Sequence, residues 1–350
     1  MRTSICLLMV VCLVVGAGAA WAVGREEAPR NVVLIGWDGA QRGHVRECLE
    51  RGELPALARL AQEGALVAID IPRVTDTKAG WTQILTGYEP EVTGVFSNGR
   101  YQPIPKGYSI FERLEQHFGA NGIATVAVIG KQGHVDADGP QRVAVTEQPR
   151  PAAGRPRQQR QQQRQQARQA EGALVTRDGK QYRETPGKPY FYTKDGMDVW
   201  LNGLGANDSV GAKALELLEQ YRGQRFFFFV HFADVDHKGH ASGENSAAYN
   251  DALISSDAWT GKIVEKLKEL GLYEQTLVYV TADHGFDEGR TSHQDAPYVF
   301  LATNDPQVVR RGERVDITPT ILDRFGLDLG KLDPPLDGHS LLRPYQPPIW

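Results

Sequence analysis

Val280-Thr281-Ala282-Asp283-His284-Gly285-Phe286 sets a carboxylate and an imidazole side by side at the end of an apolar run, with a glycine behind them. Such a pair serves a metal ion or an ordinary strand-to-loop turn equally well, so its meaning depends on what else the chain can bring to it. Three other segments carry matching chemistry. The apolar run Asn31 to Trp37 ends in Asp38-Gly39, Phe226 to His231 runs into Asp234, Asp236 and His240, and His293 stands just before the apolar run Pro297 to Leu301. Several strands thus end in carboxylates or imidazoles, and one parallel sheet gathers such ends at one edge, where open α/β sheets bind ligands.

The elements that must do this gathering alternate along the chain. The Leu54, Leu57, Leu60 and Ala61 spacing marks an apolar helical face, and Leu66 to Ile71 reads as a strand. A helix is predicted to begin near Thr77 and to stop at Thr86-Gly87. Thr77 then lies at a helix amino terminus, where free N–H groups and the helix dipole favour an anion; it is also the residue an ordinary N-cap asks for. Tyr108 to Phe118 and Val210 to Tyr221 read as helices, Ile123 to Ile129 and Arg225 to Phe232 as strands, with a long helix over 247–270 and a closing one over 317–325. Six or more strands separated by helices predict an α/β fold, a doubly wound, mostly parallel sheet sandwiched by helices.

The alternation is broken over residues 131–200, read as an insertion and a cap candidate. Within it, residues 155–168 are almost wholly Arg and Gln, a solvated low-complexity segment without an apolar face. At the other end, residues 1–22 combine Arg2, an apolar run from Ile5 to Ala20 and small residues around Ala22, which predicts a signal peptide and export, with an amino-terminal anchor as the alternative. Cys6 and Cys12 would leave with it, so Cys48 would have no disulfide partner. A net charge of −4 over 350 residues gives no general case for nucleic acid.

The residues just named carry a family resemblance. From residue 31 to 345, apart from the insertion, the chain resembles the alkaline phosphatase superfamily, and within it the type I phosphodiesterase/nucleotide pyrophosphatase branch with its sulfatase-like fold. The marks are Asp38-Gly39, Thr77 nine residues before Thr86-Gly87, Asp236-His237-Lys238-Gly239-His240, Asp283-His284-Gly285, and His293 before an apolar strand; Leu336 to Leu341 is similar to the closing segment of sulfatases. The resemblance implies two divalent metals, one on Asp38, Thr77, Asp283 and His284, the other on Asp236, His240 and His293. Three carboxylates with three imidazoles suit zinc, with manganese the other choice. It further implies Thr77 as nucleophile, attacking a phosphoric ester in line. The expected partner is a small phosphate ester, with no nucleic-acid site and no stable protein partner.

Sulfatases of this superfamily convert a cysteine or serine at the nucleophile position to formylglycine, with proline and arginine following; Thr77, Ala79 and Trp81 stand there instead, which disfavours that chemistry. The phosphodiesterase branch has an asparagine three residues after the threonine, where this chain has Gly80. Lys78, Lys131 or backbone N–H groups are expected to supply the missing contact to the phosphoryl oxygens. Asp234 and His237 are expected to orient an imidazole, His231 to be a satisfied buried histidine, and His134 to be a residue that could reach substrate. Beside the phosphodiesterase or pyrophosphatase reading stand a phosphomonoesterase or phosphoryl-transfer enzyme and a metal-retaining binding protein.

Overall fold

The computed structural model describes residues 29–144 and 173–344. The predicted signal peptide and the Arg/Gln segment 155–168 lie outside the described residues. The first half contains β1 (Asn31–Trp37), α1 (Arg42–Glu50), α2 (Pro55–Glu63), β2 (Ala65–Asp70), α3 (Thr77–Thr86), α4 (Pro90–Thr93), α5 (Ile110–Phe118) and β3 (Ala124–Ile129). After three strands of the insertion, β4 (Gln141–Ala144), β5 (Ala173–Arg177) and β6 (Lys180–Thr185), come β7 (Val199–Asn202), α6 (Asn207–Tyr221), β8 (Phe226–Phe232), α7 (Asp234–Ser242) and α8 (Ala247–Glu269). The chain closes with β9 (Thr276–Thr281), β10 (Tyr298–Thr303), β11 (Gly312–Glu313) and α9 (Ile317–Arg324).

Eight strands form one sheet in the order β11-β2-β10-β9-β1-β8-β3-β7. Its central members, β1, β8, β9 and β3, pair in parallel and are buried along their whole length. Strands covered on both faces read as continuous apolar runs rather than as alternation, and β8, with Phe226 to Phe229 in succession, is the extreme case. Each such phenylalanine removed from water contributes roughly 1.5–3 kcal/mol. The predicted doubly wound fold is the observed one. One strand runs the other way: β10 is antiparallel to both β9 and β2. The loop between β9 and β10 therefore returns over the edge it left, without a crossover helix, and brings His293 back to the strand ends.

Three further differences bear on the site. The segment after Asp38, for which the sequence pattern predicts no element, forms α1. Asp236 and His240 lie on a helix, α7, which the sequence reading did not expect; its spacing of four puts both side chains on one face. Within the predicted insertion, β4, β6 and β5 make a separate antiparallel sheet, whereas Val199 and Trp200 at its end already belong to β7, paired with β3 in the main sheet. Among the described residues, no helix is long and apolar enough to cross a membrane.

Candidate active site

Asp38 follows β1, Asp283 and His284 follow β9, Asp236 and His240 come from α7 behind β8, and Thr77 is the first residue of α3. All are fully buried except His240, which is exposed. Their centre is the Nε2 atom of His284. Around it stand Thr77 Oγ1 at 3.0 Å, Asp283 Oδ2 at 3.4 Å, Asp38 Oδ1 at 3.5 Å and Asp236 Oδ1 at 3.9 Å. His240 Nε2 lies 3.2 Å from the same Asp236 oxygen, and the His293 ring stacks on His284 at 3.8 Å between centroids. All seven residues expected to form the site thus converge.

Each carboxylate is held by one oxygen and free at the other. Asp38 Oδ2 accepts from His231 Nε2 at 2.9 Å, Asp283 Oδ1 from the Gly39 N–H at 3.2 Å, and Asp236 Oδ2 from the Lys131 ammonium. Asp38 Oδ1, Asp236 Oδ1 and Asp283 Oδ2 are buried and receive no hydrogen bond. Three orphaned carboxylate oxygens facing one another are costly unless a cation compensates them. The titration behaviour reflects this crowding. Burial, with Asp38 and Asp236 beside it, pushes the Asp283 carboxyl well above the usual range. Burial and Asp236 act on Asp38 in the same direction, but the hydrogen bond from His231 and the charge of Lys131 outweigh them and hold it at about 2. Burial, then His293, lowers His284 to about 4, which keeps its imidazole neutral and able to ligate.

Among the described residues, two groups could hold a divalent ion: Asp38, Asp236 and His284, and Asp236, His240 and His293, the ligand atoms in each lying within 4.8 Å of one another. The donor set of carboxylates, imidazoles and a hydroxyl fits such an ion. The histidines are aimed by backbone acceptors, His284 Nδ1 by the Gly285 carbonyl at 2.9 Å and His240 Nδ1 by the Thr291 carbonyl at 2.8 Å. Phe286 packs against His240, His284 and His293 and so fixes all three rings, a role no feature of the sequence announced. An opening of about 370 Å³, lined by Val74, Thr75, Asp76, His240, Thr291 and His293 among others, borders this group at its two outer histidines.

Thr77 is not an N-cap: Asp76 occupies that position, and the Thr77 hydroxyl is directed to His284. Lys131 reaches the site through Asp236, whereas Lys78 turns its ammonium to the Gly133 carbonyl and lies over the Tyr101 ring at 5.3 Å, where Lys188 also donates to the tyrosine hydroxyl. Burial, then Lys188, lowers Lys78 to about 8. Gly80 is explained by packing. A Cβ there would stand 2.8 Å from Arg314 Nη1 and 2.9 Å from Asp283 Cβ, so an asparagine has no room. Arg314 is itself buried, donating to the backbone carbonyls of Asp283 and Val74. Asp234, expected to orient an imidazole, instead accepts from the N–H of Asn207 at the start of α6. His134 has an unpartnered Nδ1 and is lowered to about 3 by burial, with Asp38 and Lys131 among its charged neighbours.

Fold comparison gives the class. The chain is similar to the alkaline phosphatase of the Antarctic bacterium TAB5, with a TM-score of 0.52 and 16% identity over 86% of this chain and 99% of that one. It is also similar to the lipoteichoic acid synthase LtaP of Listeria monocytogenes, with a TM-score of 0.56 and 15% identity over 90% and 76%. The chain therefore shares the fold of these enzymes. The type I phosphodiesterase / nucleotide pyrophosphatase model matches residues 32–328, and the chain belongs to that family, of the alkaline phosphatase superfamily. Curated relatives match over shorter stretches. Arylsulfatase A of Bos taurus is 30% identical over 99 residues, 27% of this chain and 20% of the relative. A 2,3-bisphosphoglycerate-independent phosphoglycerate mutase of Clostridium kluyveri is 31% identical over 125 residues, 33% of this chain and 23% of the relative. The chain thus matches only about a fifth of the length of these relatives.

Proposed function

We propose that this chain is an exported, metal-dependent hydrolase of phosphodiester or pyrophosphate bonds in small molecules, with Thr77 as nucleophile. The observation that carries the reading is the convergence of three orphaned carboxylate oxygens and the Thr77 hydroxyl on His284 Nε2. In this reading Asp38, Thr77, Asp283 and His284 hold one divalent ion and Asp236, His240 and His293 the other, zinc being favoured by the imidazoles and manganese the alternative. Such ions, when bound, make the threonine hydroxyl more acidic and stabilise the departing oxygen.

The chain's own groups do the rest. Thr77 Oγ1 forms a bond to phosphorus as the ester oxygen leaves, and water then hydrolyses the phosphorylated threonine. Its place at the first position of α3 sets the phosphoryl group at the positive end of that helix, which favours its negative charge without the absent asparagine; the Lys78 N–H there is already given to the Asn98 side chain at 2.9 Å. Lys131 and Lys78 add positive charge on the same side. Lys78 and Lys188, gathered on Tyr101, also support the second reading, a phosphomonoester with its additional charge.

Purified protein is assayed on bis-(p-nitrophenyl) phosphate, p-nitrophenyl phosphate and p-nitrophenyl sulfate, before and after chelation and zinc return, beside Thr77→Ala. Preference for the diester, loss on chelation and recovery with zinc are expected, with Thr77→Ala binding zinc but inactive. Cleavage of none of the esters by the zinc-loaded chain would remove catalysis by Thr77 on such esters and leave a narrow-substrate relative or a binding protein.

A further inference from the structure

His231 was expected to be an ordinary buried histidine, and its surroundings do not support that. The rest of β8 shows what this position accepts: Phe226 to Phe229, Val230 and Phe232 are all apolar and buried. An imidazole in such a strand has to satisfy two nitrogens. Only one is satisfied here, because Nε2 lies 2.9 Å from Asp38 Oδ2 while Nδ1 is buried without a partner. A purely structural residue would carry less cost as another phenylalanine, since an unpaired buried polar group loses its hydration without return. The carboxylate partner assigns the tautomer, with Nε2–H donating and the Nδ1 lone pair left over.

We propose that His231 is the positioning residue of the reaction site, holding Asp38 by Oδ2 so that Oδ1 is presented to the metal. It rests on the reading of Asp38 as a ligand given above. The geometry supports the assignment from both ends. Asp38 Oδ1 is the oxygen that points into the cluster, 3.5 Å from His284 Nε2. The His231 ring cannot swing away, because Trp81 lies edge-on against it at 5.1 Å between centroids. Trp81 fits there only because residue 36, paired with His231 across β1 and β8, is glycine; a Cβ at Gly36 would overlap the indole. Thr77 and Trp81 are four residues apart on α3, so one helix carries both the nucleophile and the wedge that pins the residue orienting Asp38.

The test compares His231→Gln, whose amide nitrogen reaches the place of Nε2, with His231→Asn, whose amide is too short. Zinc affinity is measured by competition with a chromophoric chelator, and the metal-free proteins are melted by circular dichroism. His231→Asn is expected to weaken zinc binding about 10–100-fold, the range for partners that orient ligands, and His231→Gln to stay within about threefold of the unaltered chain. Equal affinity in both variants, or equal loss in both, overturns the proposal. If His231→Asn does not fold, a folded His231→Gln that has lost its zinc affinity overturns it alone, and failure of both to fold makes His231 a strand residue only. Asp38→Ala separates the two readings. If it leaves zinc binding unchanged, the ligand assignment fails whatever His231 does.

Discussion

Two regions of this molecule bury carboxylates completely, and they treat them in opposite ways. Outside the candidate site, Asp257 on α8 accepts the N–H groups of Ala56 and Leu57, one on each oxygen, at 3.0 and 2.8 Å. Asp305 receives the Tyr279 hydroxyl at 2.6 Å on one oxygen and the Gln307 N–H at 3.0 Å on the other, with the Arg324 guanidinium in an ion pair at 3.0 Å. Every oxygen there has a donor. Asp38, Asp236 and Asp283 each keep one oxygen without a donor, and the three face one another. Burial alone therefore does not distinguish a working acid from a structural one. The unmatched oxygen does, because nothing in the protein compensates its lost hydration.

The sharpest way to break this comparison is to neutralise one acid of each kind. Asp283→Asn should lower kcat/KM of the zinc-loaded chain by four orders of magnitude or more, on the order of 5 kcal/mol. In the metal-free chain the same change should raise the melting temperature, since burial and the charges of Asp38 and Asp236 already disfavour that carboxylate. A lower melting temperature without metal would show that Asp283 is structural. Asp305→Ala should do the reverse, costing about 3–5 kcal/mol in urea unfolding by leaving the half-buried Arg324 and the buried Tyr279 hydroxyl without their partner, with kcat per folded molecule retained.

Asp257 gives a smaller effect with a defined pH course. Burial raises its carboxyl to about 6, against the opposing N–H bonds from Leu57 and Ala56. A carboxyl whose folded pKa lies above its unfolded value binds its proton more tightly in the native state. The stability this adds is complete below about pH 4 and lost as pH rises through about 6. The unaltered chain should therefore lose on the order of 2–3 kcal/mol relative to Asp257→Asn between those limits. A pH-independent difference in unfolding free energy would contradict it. Smallest is Gly80→Ala, whose methyl meets Arg314 and the Asp283 backbone; it should cost about 1–3 kcal/mol by overpacking, measured by thermal melting.

Much of this contrast was legible before any coordinates. Apolar runs ending in acids or imidazoles located Asp38, Asp236 and Asp283 and the doubly wound sheet, because both follow from local pattern. What stayed hidden depends on pairing at long range. The reversal of β10 is set by its neighbours β9 and β2, and the helix around Asp236 has little apolar periodicity to betray it. Gly80 reads as a missing donor until Arg314, far along the chain, is seen to fill its place. The same holds for His231, whose partner Asp38 follows the neighbouring strand rather than lying nearby in sequence.

The placement of β1 between β8 and β9 has a consequence for how the molecule comes into being. β1, buried along its whole length, is made before either of its neighbours and has no partner on either side until residues 226 and 276 onward are made. Contacts so distant in sequence form slowly, since loop-closure entropy must be overcome before they reward the chain. A growing chain therefore carries an open hydrophobic strand until those residues emerge, and the candidate site cannot assemble before Asp283, His284 and His293 follow them.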